Sequence, residues 1–158
     1  FASASFHSKP AKASGRNLIM EKYARMMEHT DPEKYAAFAD QLPPLTPEFV
    51  QLREAIIAIQ IPWMEEFAAK YPYLTKQART IHTAEDSKAQ TSYETYLRGE
   101  LSVYPFDILY GYGRWVVSLH QAGENLACLT MAETVREYGY DSLESAEQAY
   151  RKSSQLFS

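Results

Sequence analysis

The chain has 158 residues, enough for one domain with a core that needs no covalent staple. A formal net charge of -4 argues against nucleic acid, which rewards clustered Lys and Arg. A single cysteine excludes an internal disulfide, and the longest apolar run, 55–61, falls far short of the roughly 20 residues of a membrane span.

Residues 1–16 (FASASFHSKPAKASGR) carry no acid and read as a flexible N-terminal arm or an expression remnant; 17–158 read as one helical domain. Leu18, Ile19, Tyr23, Met26 and Met27 recur at helical spacing and predict a first helix from Asn17. Asp31-Pro32 restarts the chain, since aspartate caps free amides and proline suits a first turn. Tyr35, Phe38 and Leu42 form the apolar face of that short second helix, and Pro43-Pro44 stops it. Thr46-Pro47-Glu48 opens the third. Phe49, Leu52, Ile56, Ile59, Trp63 and Phe67 step by three or four residues, which predicts a long helix over 46–69. Pro62 lies inside it and predicts a kink near 58–61; Tyr71-Pro72 ends it.

The stretch 74–91 is polar and reads as loop with a short turn at 83–86. A fourth helix over 91–101 turns Tyr93, Tyr96, Leu97 and Leu101 inward, and Glu94 stands four residues before Arg98 in the favourable order. A fifth runs from Tyr104-Pro105 to His120, with Phe106, Leu109, Val116 and Leu119 inward. Gly111 and Gly113 weaken it by roughly 1 kcal/mol each. A β-hairpin across 108–119 is the competing reading; the helical neighbours favour helix. Gly123 suits a helix end, and Cys128, Met131, Val135 and Tyr138 mark a sixth helix ending near Gly139. Asp141 and Glu144 read as a capping box for a last helix carrying Leu143, Ala146 and Tyr150 on one side. The fold class is therefore all-α: a single-domain bundle of six or seven helices around a long Pro-kinked central one.

Catalytic and metal signatures are thin. No Glu-x-x-His pair, His-Glu-x-x-His or cysteine pair is present, so no metal and no cofactor is expected. Cys128 sits on an apolar stripe and reads as a small hydrophobe. His7, His29, His82 and His120 are scattered, and His29 and His120 stand at helix C-termini, where a cation suits the dipole. Gly111-x-Gly113 lacks the third glycine and the strand of a dinucleotide loop.

The densest mixture of rigid, polar and charged side chains is the segment 93–115. Tyrosine offers a flat apolar face with a polar tip, and an arginine among tyrosines can fork onto a carboxylate or phosphate. The candidate ligand site is Tyr93, Tyr96, Arg98, Tyr110, Tyr112 and Arg114 where they meet Trp63 of the central helix, with Arg98 or Arg114 holding an anionic group. The competing reading has the tyrosines packing the bundle and the arginines paired with Glu94, Glu100 and Asp107 or lying in water.

The segments NLIMEKYARMMEHTDPEKY (17–35), LPPL (42–45) and TSYETYLRGEL (91–101) resemble a bacterial family known as domain of unknown function four-one-two-five. The resemblance runs from about Asn17 to Glu147 and leaves 1–16 outside. It implies a bacterial, cytoplasmic protein and supplies no catalytic residues. The expected function is a helical binding or interaction module for an unknown protein partner, without catalytic chemistry. The alternative is an enzyme or sensor taking a small anionic ligand in a Tyr/Arg-lined pocket. Neither nucleic acid nor membrane is an expected partner, and a homo-oligomer built on the aromatic and Arg-rich patch fits the first reading.

Overall fold

Helix starts are encoded as short polar residues whose side chains replace missing backbone partners. The computed structural model describes residues 16–157, and it uses most of the starts expected above. Asn17 accepts a hydrogen bond from the Met20 amide at 3.2 Å and opens α1 (Leu18–Thr30). Asp31 caps α2 (Pro32–Ala36), which is shorter than its apolar spacing suggested; Phe38 to Leu42 pass instead through a 3₁₀ turn, Ala39–Gln41. Thr46 accepts from the Phe49 amide at 3.1 Å and opens α3 (Pro47–Lys70), which stays helical on both sides of Pro62. One turn, α4 (Pro72–Thr75), follows and overlaps the start of the expected 74–91 loop, and a 3₁₀ turn forms at Thr83–Glu85, where a short turn was expected. Ser92 caps α5 (Tyr93–Leu101). Then come α6 (Phe106–Gln121), α7 (Leu126–Glu137) and α8 (Leu143–Leu156). The cap of α8 is Ser142, bonded reciprocally with Ser145, rather than Asp141 with Glu144. The expected arm lies outside the described residues except for Arg16, which pairs with Glu21 at 2.6 Å.

Among the described residues, six helices of nine or more residues and two short ones make the fold all-α. Helix α3 is the hub and packs against α5, α6 and α7. Its N-terminal half contributes Phe49, Ile56 and Ile57 to a first core cluster with Leu97, Leu101, Leu109 and Val116. Its C-terminal half contributes Met64 and Phe67 to a second, with Val135, Leu143 and Ala146. Tyr93 packs against both, so the junction of the two clusters falls beside Trp63 and α5.

Gly111 and Gly113 sit in unbroken helix, which removes the hairpin alternative, and their environments differ. A Cβ on Gly113 would meet Ile56 Cδ1 at 3.0 Å, so this glycine lets α6 approach α3. A Cβ on Gly111 would meet nothing within 4 Å. Gly111→Ala should therefore stabilise the protein by roughly 0.8–1 kcal/mol, the helix-propensity gain, whereas Gly113→Ala should give no such gain. Urea midpoints of the two variants check this, and equal gains would contradict the close approach at Gly113.

Candidate functional site

A cleft opens at the junction of the two core clusters. Helix α5 supplies Tyr93, Tyr96, Leu97, Glu100 and Leu101, positions that share one face because they fall at i, i+3, i+4, i+7 and i+8. Gln60, Trp63 and Met64 face them from α3, Tyr112 from α6, and Leu126, Ala127 and Thr130 from α7. Tyr104, between α5 and α6, and Arg79, on the loop before α5, complete the lining. The space measures about 60 Å³. That holds a few water-sized bodies, against the several hundred Å³ of a site for a drug-sized ligand.

The polar groups inside it are bonded to one another. The Tyr112 hydroxyl donates to Gln60 Oε1 at 2.9 Å, and Gln60 Nε2 donates to the Tyr93 hydroxyl at 3.5 Å. Gln60 is 5% exposed, so these bonds carry the satisfaction of a buried amide. Burial pushes the Tyr93 and Tyr104 phenols up to about 12, and that of Tyr112 further still. The Glu100 carboxylate, in the same lining, adds to the rise in all three. These hydroxyls stay protonated near neutrality and serve as hydrogen-bonding groups, not bases.

Tyr96 receives cations. The Lys22 ammonium lies 4.8 Å from its ring centroid and donates to its hydroxyl at 3.2 Å. The Arg79 guanidinium carbon also lies 4.8 Å from that centroid.

The family model described as "Protein of unknown function (DUF4125)" matches residues 6–148. The chain belongs to the DUF4125 family. The match begins before the resemblance read from the sequence, which started near Asn17. No curated protein and no solved structure matches the chain. The cleft-lining residues, from Gln60 to Thr130, all fall within the DUF4125 match.

Of the seven residues expected to form one site, Trp63, Tyr93, Tyr96 and Tyr112 line this cleft of the DUF4125 protein. Arg98, Tyr110 and Arg114 do not. The reason is helical: two positions along a helix turn a side chain by about 200°, so Arg98 points away from Tyr96, and Tyr110 and Arg114 point away from Tyr112. Tyr110 and Arg114 border a separate groove between α3 and α6, of about 400 Å³, with Leu52, Ala55 and Ile59.

Arg98 is committed to structure. Its fork bonds Glu54 of α3 through Nε at 3.1 Å and NH2 at 2.9 Å, Glu94 at 2.8 Å and the Thr83 hydroxyl at 3.2 Å. Thr83 shares a 2.9 Å bond with Thr95, and Thr95 donates to Asp86, which also accepts from the Ser92 amide at 2.7 Å. This chain of bonds ties the 76–92 loop to α3 and α5.

Glu100, Gln60, Tyr104 and Arg79 were missed. Glu100 was legible as the residue seven after Tyr93, and Gln60 as the one polar residue in the apolar run 55–64. Arg79 sits in irregular chain, where no period exists to place it.

Elsewhere, Cys128 is half-buried, and burial pushes its thiol up, which disfavours the reactive thiolate. His82 approaches Glu65 at 3.5 Å and Glu85 at 3.4 Å, but no group of three or more His, Cys, Asp or Glu is placed to hold a metal among the described residues. No helix among them is long and apolar enough to cross a membrane.

Proposed function

We propose that this DUF4125 protein is a helical binding module without chemistry of its own, and that the tyrosine-lined cleft is where it takes a compact ligand. The supporting observation is the convergence of Gln60, Tyr93 and Tyr112 on the floor of an aromatic-walled space at the junction of four helices. Phenols raised to about 12 and a half-buried thiol pushed up by burial agree with binding rather than proton transfer or nucleophilic attack. The alternative of an anion held by an Arg/Tyr pocket loses both of its expected cations, since Glu54 and Glu94 neutralise Arg98 and Arg114 borders a separate groove. The proposal keeps the bacterial cytoplasm as the setting.

A second version, docking of a protein partner or a second copy, draws on Ile19, Met20 and Tyr23, which are exposed on α1. A strict monomer by light scattering removes the second-copy form.

The cleft itself is tested by native mass spectrometry. Protein purified under native conditions should carry a small-molecule adduct. Ala127→Phe, which fills the cleft, should lack it. The same adduct on both proteins would refute the site.

A further inference from the structure

We infer that the cleft receives the ammonium head of a compact organic cation, enclosed by the rings of Trp63, Tyr93, Tyr104 and Tyr112 and countered by Glu100. The inference rests on the binding reading above and supplies its ligand class. Aromatic faces carry negative electrostatic potential, so several rings around one small space attract a cation and disfavour an anion. Tyr104 and Tyr112, both in the lining, pack edge-on against each other, with centroids 6.4 Å apart and planes at 80°.

Charge agrees with this. The lining holds one acid and one base, Glu100 and Arg79. Arg79 is exposed, stacks its guanidinium on Tyr96 and donates to the Thr91 carbonyl at 3.4 Å. Glu100 lines the same space as Tyr93, Tyr104 and Tyr112. A carboxylate beside aromatic walls is the arrangement that holds an alkylated ammonium, which needs no directional donor. Tyr96, another ring of the lining, already carries Lys22 and Arg79 against its ring. Size agrees as well: about 60 Å³ suits a head group of a few heavy atoms and excludes a nucleotide.

Isothermal titration of the full chain tests this with four probes: choline, its uncharged carbon isostere 3,3-dimethyl-1-butanol, acetate and glycine. Choline should bind at least tenfold more tightly than the isostere and than either carboxylate. Glu100→Gln and Tyr104→Leu should each weaken choline about tenfold, equivalent to about 1.4 kcal/mol. Tyr104→Phe, which keeps the ring, should bind as the wild type does, with unchanged circular dichroism certifying the fold. Equal binding of choline and the isostere, preference for acetate or glycine, or absence of choline binding at millimolar concentration would each overturn the cation assignment. Binding of the isostere, acetate or glycine that Ala127→Phe abolishes would leave the cleft as a binding site for another class. Silence from all four probes, together with identical adducts on wild type and Ala127→Phe, would overturn both readings.

Discussion

Phe67→Ala should cost about 3–5 kcal/mol, the range for truncating a buried aromatic side chain without full collapse of the space it leaves. Phe67 is 0% exposed and sits in the second core cluster, where α3 meets Val135 of α7 and Leu143 and Ala146 of α8. Its ring lies 5.3 Å from that of Tyr71, which caps the end of α3 and hydrogen-bonds Glu144 of α8 at 2.8 Å. Removing the ring therefore loosens three helices at once. A loss of this size is a large share of the roughly 5–15 kcal/mol that holds a typical domain, so thermal melting should drop by roughly 10 °C or more. Phe67→Leu, which keeps most of the volume, should cost less than about 1.5 kcal/mol. A Phe67→Ala variant within about 1 kcal/mol of wild type would mean that the second cluster does not carry the packing of α7 and α8.

The sequence showed this core because its signals are local. The three- and four-residue steps from Phe49 to Phe67 define one face of α3, and Asn17 and Thr46 cap helices through bonds that span three residues. Gly123 and Gly139, at φ 75° and 92°, end α6 and α7 in the left-handed conformation glycine adopts without strain. Short elements left weaker marks. Four residues of α4 contain too little period to see, and Ser142 took the cap expected of Asp141 because Ser145 reciprocates its bond. The site was half legible. Tyr93 and Tyr96 lie on the face that forms the cleft, but a Tyr-rich segment is not a face. Grouping Tyr96 with Arg98, and Tyr112 with Arg114, joined residues that an α-helix separates by about 200°. The partner that claims Arg98 was out of reach of any local pattern: Glu54 lies 44 residues away on another helix.

Arg98→Ala should lower stability by about 2–4 kcal/mol and leave choline binding in the cleft within twofold of wild type. Breaking a buried ion pair by removing one partner costs about 3–5 kcal/mol, because the other charge stays behind without compensation. Here the Arg98 side chain is 17% exposed and that of Glu94 21%, but Glu54 is 42% exposed, so water recovers part of the loss. Arg98→Lys should recover less than half of the stability, since one ammonium cannot fork onto Glu54 while also reaching Glu94 and Thr83. The pH dependence has a definite sign. Burial pushes the Glu54 and Glu94 carboxyls up, but Arg98 outweighs it in both, helped by Arg53 at Glu54 and by Thr83 at Glu94, and holds them below their ordinary 4.5. A carboxyl with a folded value below its unfolded one contributes stability that is complete above the unfolded value and disappears as pH falls through the folded value. The gap between wild type and Arg98→Ala, read from urea unfolding at a series of pH values, should therefore be full at neutral pH and narrow below about pH 4.5. A gap that persists unchanged in acid would show that Arg98 acts through packing of its stem and not through its two carboxylates. Loss of choline binding with stability intact would contradict the placement of Arg98 outside the cleft.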